Sequence, residues 1–427
     1  MRWWPKVKMA ESHLLAVVRS LSFEDNPDNH LSGLTDSAWR DLLRVTDRSQ
    51  LTLPLAAHSP ASFPQWVRDR LESDLSNNAI RHERTMQRYR EIQEALTSRG
   101  LRFAVLKGFT QYPLYCTDLR ARPQYDLDLY CPESDIAAAY QAIIALGYEP
   151  FRQKTATPVD HLSPLIRKTG WRPRGDYYDP DMPLTIEMHF RFWDNDTECF
   201  DVQGAETLWE RRRLREISGL EVPVLHPNDA LSYTAWHLVR HLLRGDLRAY
   251  HVYELANFLH QTADHNDFWR KWRNGQLSPI VESMAFRLAM DWFHCAANPA
   301  VTRLAHSLPH TVERWFTMFG FSPLYSVEKP NKDELFLHLA LVQGYRKRLK
   351  IARRRLFPFR FEPVVVDAHV PAPGTALRWK RRVFGFWFMA KRMLHHLRTF
   401  LPVIQSGLRW RMEPASHRIP RAGTALQ

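Results

Sequence analysis

The residues with the clearest chemical potential are two aspartates spaced two apart, Asp126 and Asp128. In segment 125–130 they alternate with Tyr125, Leu127 and Leu129, so a strand here turns its apolar side chains one way and both carboxylates the other. A second alternating segment, 184–192, sets Ile186, Met188 and Phe190 against Glu187, His189 and Arg191, which puts a third carboxylate on the polar face of another strand. Three hard oxygen donors from two strands suit Mg²⁺, which prefers a few carboxylates together with substrate phosphates to a cage made of protein alone. Taken alone, a D-x-D pair on a half-exposed strand is more often a solvated face. Its surroundings set this pair apart. Lys107 and Gly108 follow a short apolar strand at 103–106, about twenty residues upstream, and Arg122 and Pro123 stand directly before the pair.

The elements that must position these residues change character along the chain. Residues 36–98 carry helical stripes, one of Trp66, Val67, Leu71, Leu75 and Ala79 and another of Met86, Tyr89, Ile92 and Leu96, ending at Gly100. From Leu101 the period shortens to strand, strand, then a helix over 135–146 stopped by Gly147. At Pro227 a helical region opens, with proline at the first helical position and Asp229 in the first turn, and helix-period patterns continue to about residue 345. The pattern predicts an α+β chain: a helical N-terminal lobe over 1–100, a small mixed-sheet core over 101–224 with an inserted loop at 151–184, a second helical lobe over 225–345, and a basic tail over 346–427 broken by Pro358, Pro363, Pro371 and Pro373.

The ordered combination resembles the polymerase-β-like nucleotidyltransferase superfamily and, within it, an uncharacterised nucleotidyltransferase family that reads L-K-G, then R-P-x-x-D-x-D-L, then [DE]-x-H. The matching residues are Leu106, Lys107 and Gly108; Arg122, Pro123, Asp126, Asp128 and Leu129; and Glu187 and His189. The segment 145–148 sits where the family ends its helix, 225–241 is similar to the helix after its core, and the resemblance extends over about 36–260.

The resemblance implies transfer of a nucleoside monophosphate from an NTP to an acceptor hydroxyl or phosphate, with Mg²⁺ held by Asp126, Asp128 and Glu187. Glu187 would complete the site and serve as base toward the acceptor. The Gly108 turn would bring backbone N–H groups to the triphosphate, while Lys107 and Arg122 neutralise it. The wider superfamily has serine after the turn glycine. Here Phe109 follows Gly108, and the nearest hydroxyl is that of Thr110. That departure keeps a second class open, a catalytically degenerate fold of this type that binds a nucleotide or scaffolds an assembly at the membrane surface. Cell-envelope polysaccharide synthesis is one setting for the active reading.

Other chemistry is thinly represented. His237 and His241 have the i, i+4 spacing of a zinc pair, but Leu238, Val239 and Arg240 lie between them with no glutamate to act as base, and two further ligands would be needed; a packed helix face is the simpler reading. The inserted loop carries His161, Trp171, Arg172, Arg174, Tyr177 and Tyr178, which suit either an acceptor pocket or an ordered loop packing its own aromatics. Walker A, G-x-G-x-x-G and G-x-S-x-G patterns are missing, and four scattered cysteines form no C-x-x-C pair and read as reduced thiols.

The chain's net charge of +13 is unevenly placed. Residues 344–427 hold 19 Lys and Arg against 3 Asp and Glu, a net of +16, whereas residues 1–343 hold 40 against 43, a net of −3. Within the tail, Trp379, Val383, Phe386, Ala390, Leu394, Leu397 and Leu401 recur at helical spacing over 378–401, largely opposite Arg378, Arg381, Arg382, Arg392 and His396. A basic amphipathic helix of this kind, with the Arg346–Arg355 cluster beside it, suits an anionic membrane surface. Nucleic acid suits it less, because the aromatics share a stripe with aliphatics, and packing on the protein's own core is the plainer alternative. The longest uninterrupted apolar run, 383–390, is eight residues, far short of the ~20 that span a bilayer, and the N-terminus has no signal-peptide core. The chain is therefore expected in the cytoplasm, peripheral at most to the inner face of a membrane, with an NTP and an acceptor as its small partners.

Overall fold

The computed structural model describes residues 13–24, 31, 33–58, 61–150, 160–172, 174–274, 279–356 and 375–412. The tail prolines Pro358, Pro363, Pro371 and Pro373, and the N-terminal residues, lie outside the described residues.

The fold is mixed α and β, as expected. Among the described residues seven strands, β1 (Ala104–Val105), β2 (Asp126–Tyr130), β3 (Glu149–Pro150), β4 (Leu165–Ile166), β5 (Thr185–His189), β6 (Arg213–Ile217) and β7 (Leu220–Val224), form one sheet in the order β3-β4-β5-β2-β1-β7-β6. The central pairing, β2 with β5, is parallel, as is β1 with β7, and the other neighbours are antiparallel. Three of the strands follow from apolar periodicity. The β6–β7 hairpin does not, because β6 is Arg-Leu-Arg-Glu-Ile; its signature is the two-residue turn Ser218-Gly219, whose φ angles of 51° and 75° are those of a turn that matches strand twist.

One face of the sheet is apolar. Leu127 and Leu129 from β2, Ile186 and Met188 from β5, and Val222 and Val224 from β7 pack with Ile143 of the Ile136–Ala145 helix. A second, larger core joins the N-terminal helices, through Trp39, Leu42 and Leu71, to the helices after Pro227, through Trp236, Leu255, Phe286 and Trp315. The two stripes predicted before Gly100 belong to a single 33-residue helix, Gln65–Thr97. Its first half turns Val67, Leu71 and Leu75 into the larger core, and its second half turns Met86, Tyr89, Ile92 and Leu96 into the sheet core. The stripe shifts around the helix because the partner changes.

Between these halves the long helix buries a polar row that holds the segment leading into β2. Asn78 Nδ2 donates to the carbonyls of Arg120 and Arg122 at 2.8 and 2.9 Å. Arg81 donates to the Gln124 carbonyl at 2.9 Å and lies over the Tyr125 ring. Buried backbone carbonyls need such donors, so the D-x-D strand starts from a pinned position.

The tail is more helical than its prolines suggest. Residues Tyr345–Leu356 form a basic helix, and Thr375–Met412 form a second that extends beyond 378–401 at both ends. The end of the second helix docks on the larger core: Trp410 stacks near Phe336 and Phe319, and Arg314 donates to its carbonyl. Thr399 is fully buried, and Lys332 donates to His396 Nδ1 at 2.7 Å. Its other side is open, with Phe386 72%, Leu397 66% and Leu401 65% exposed.

Candidate active site

The polar face of β2 and β5 looks into a cavity of about 490 Å³. The parallel register sets Asp128 directly opposite Glu187 and Asp126 opposite Thr185. Asp128, Glu187 and His189 each offer a ligand atom within 4.8 Å of the others, so the group can hold a metal ion. His189 Nε2 lies 3.2 Å from Asp128 Oδ1 and 3.9 Å from Glu187 Oε2. Asp126 lines the same cavity beside this group.

Lys107 follows β1 in extended conformation and crosses toward β2. Its Nζ lies 3.3 Å from Asp128 Oδ2 and donates to His237 Nε2 at 2.9 Å. Burial pulls Asp128 toward the protonated form, but Lys107 and the His189 hydrogen bond outweigh it and hold the carboxyl well below the usual range. Asp126 goes the other way: burial first, and then the charge of Asp128, push it up to about 6. Burial works against charge on Lys107 too, yet Asp128 and Asp126 raise its pKa, so the ammonium is firmly protonated.

The predicted phosphate cradle is only partly assembled. Gly108 has φ +86°, and a Cβ there would lie 2.5 Å from Gln124 Nε2, so glycine is required. Its N–H does not face open space; it donates to Gln111 Oε1 at 3.2 Å. That same oxygen accepts from Arg122 Nη2 at 2.6 Å, and Arg122 Nε donates to Glu254 at 2.8 Å. Arg122 therefore lines the cavity as half of a buried ion pair, because a buried guanidinium must be matched by a nearby carboxylate. Thr110 is not among the residues lining the cavity: it is buried in the short turn Gly108–Gln111, where its carbonyl accepts from Arg215, and Gln111 takes the place at the wall.

Of the inserted loop, Asp160 and His161 reach the cavity. They do so because 160–162 pairs with the end of β5, through Leu162 N to the Met188 carbonyl at 2.9 Å and Phe190 N to the Asp160 carbonyl at 3.1 Å. Asp160 forms a buried ion pair with Arg240 and lies 3.8 Å from His189 Nδ1. Burial opposes its charge, but Arg240 and His189 hold its pKa down at about 2. Trp171 and Tyr178 of the loop pack elsewhere, and Tyr177 is exposed. Trp171 Nε1 donates to Asp179 at 2.8 Å, Tyr178 is fully buried in the larger core, and Arg172 and Arg174 are exposed.

The far wall corrects the reading of the histidine pair as a packed face. Helix Pro227–Arg244 turns His237 and His241 into the cavity, where His251 of helix Ala249–Gln261 joins them. Burial lowers the pKa of all three, reinforced by nearby cations at His237 and His251 and only partly offset by Asp246 at His241, and keeps the imidazoles neutral. Among residues to which sequence reasoning gave no role, His189 had a signal: strand alternation put it on the polar face with Glu187. Asp160 and His251 had none, since their neighbours at the cavity come from distant segments.

The sequence pattern of the family described as uncharacterised nucleotidyltransferase matches residues 35–294, about three fifths of the chain and a span that contains every residue lining the cavity. A search of curated proteins found no match.

Proposed function

The chain belongs to the uncharacterised nucleotidyltransferase family, and from that premise we propose that it moves a nucleoside monophosphate from an NTP to an acceptor hydroxyl or phosphate with Mg²⁺. The observation that carries this is the convergence of Asp128, Glu187 and His189, with Asp126 and Lys107, on one cavity wall. Asp126, Asp128 and Glu187 are the residues that would hold Mg²⁺, and their carboxylate oxygens fit its preference for hard donors. When bound, the metal supplies charge neutralisation at the phosphates and lowers the pKa of the attacking hydroxyl. Lys107, protonated and next to Asp128, binds the triphosphate. Glu187 accepts the proton of the acceptor hydroxyl as its oxygen bonds to the α-phosphorus. The α–β phosphoanhydride bond breaks and pyrophosphate leaves with the electron pair.

A specific observation favours a second reading, nucleotide binding without turnover: the Gly108 amide and Arg122 already have protein partners. One experiment separates the two. Purified protein is incubated with each α-labelled NTP, Mg²⁺ and cell extract. Covalent transfer of label that needs Asp128 supports the transferase, and saturable binding with no transfer supports the second reading.

Among the described residues no helix is long and apolar enough to cross a membrane. The exposed row of Phe386, Leu394, Leu397 and Leu401, on a tail of net charge +16, supports peripheral docking on an anionic lipid surface.

A further inference from the structure

His237, His241 and His251 offer ring nitrogens within 4.8 Å of one another, on the cavity wall across Lys107 from the carboxylates. Their hydrogen bonds do not close. The Lys107 ammonium only donates, so His237 Nε2, 2.9 Å away, presents a bare lone pair. The Asp246 carboxylate only accepts, so His241 Nδ1, at 3.0 Å, carries the proton of a neutral ring and its Nε2 is bare too. These two bare Nε2 atoms face each other at 3.2 Å. The third ring, His251, has a buried Nδ1 with no partner at all.

A cation among the three rings resolves the conflict. Two nitrogens bound to one tetrahedral Zn²⁺ at about 2.0–2.1 Å lie roughly 3.3–3.4 Å apart, close to the observed separation. Imidazole donors select Zn²⁺ and its transition-metal neighbours over Mg²⁺. We propose that His237, His241 and His251 form a Zn²⁺ site, with His237 and His241 ligating through Nε2 and Asp246 fixing the tautomer of His241 from behind. Lys107 gives up its contact with His237 and keeps Asp128 at 3.3 Å. Three protein ligands leave a fourth position on the cavity side for water or an anionic oxygen such as phosphate. The site stands independently of the nucleotide-transfer reading.

The test uses metal-free full-length protein titrated with Co²⁺, whose visible absorption is strong in four- or five-coordinate imidazole sites and weak in octahedral oxygen sites. One equivalent should develop the strong band, and Zn²⁺ should displace it. His237→Gln with His251→Gln should abolish the band, while Asp126→Asn with Asp128→Asn should keep it. Asp246→Asn, at a largely exposed side chain, should fold normally and bind about 10–100-fold more weakly. No strong band, a band that survives the histidine substitutions in protein with a wild-type melting curve, or a band lost with the aspartates would overturn the site.

Discussion

Asp128 and Glu187 stand directly opposite each other in the parallel pairing of β2 with β5, although 59 positions separate them in the chain. On our reading they share one divalent cation. Asp126→Asn with Asp128→Asn should then abolish Mg²⁺–NTP binding or turnover and leave the circular dichroism spectrum unchanged. Label transfer at the wild-type rate would remove the carboxylates from the reaction.

Lys107 should act on the triphosphate. Lys107→Ala is expected to raise the KM for NTP about tenfold or more, the loss of a charge-assisted bond of roughly 1.5–3 kcal/mol, with little change in the acceptor KM. An unchanged NTP KM would leave Lys107 only its contacts with Asp128 and His237.

The raised pKa of Asp126 gives a pH dependence of known sign. Its proton persists in the folded state to about pH 6, whereas an ordinary aspartate loses it near 4. This carboxyl's contribution to stability is therefore full below about pH 4 and falls as pH rises through 6. Without metal, Asp126→Asn should melt a few degrees higher than wild type at pH 7.5, with the gain vanishing toward pH 4. Mg²⁺ affinity of the wild type should rise with pH over the same interval. A melting difference independent of pH would contradict this.

The Asp160–Arg240 pair is buried on both sides, with 3% and 6% of each side chain exposed. Removing one partner leaves an unmatched charge, so Arg240→Ala should cost about 3–5 kcal/mol in denaturant unfolding. Asp160→Asn with Arg240→Gln should cost less than Arg240→Ala alone, because neither residual group is charged. Equal losses would mean that the charges are not what matters there.

For the tail, Phe386→Ser with Leu397→Ser and Leu401→Ser should prevent sedimentation with anionic liposomes without lowering the Tm, since all three side chains are exposed. Wild-type binding should weaken at high salt as screening shortens the reach of the basic residues. Failure of the wild type to sediment at low salt would remove the membrane from the proposal.

Much of the fold and part of the candidate site were legible in the sequence because they rest on local periodicity. Alternation of Leu127 and Leu129 with Asp126 and Asp128 needs only the strand's two-residue repeat to place carboxylates on one face, and Pro227 needs only its fixed φ to begin a helix. The helical stripes and the α+β class are of this kind, whereas the ordered motif from Leu106 to His189 was legible through its resemblance to the nucleotidyltransferase family. Tertiary structure alone decided which polar groups meet. Arg122 is matched to Glu254 across 132 positions, Asp160 to Arg240 across 80, and His251 is brought from a separate helix to the His237–His241 pair. A buried charge must find an opposite charge or a donor, but its sequence neighbourhood does not say where that partner comes from. The packing of the helices after Pro227 against the open face of the sheet made that choice.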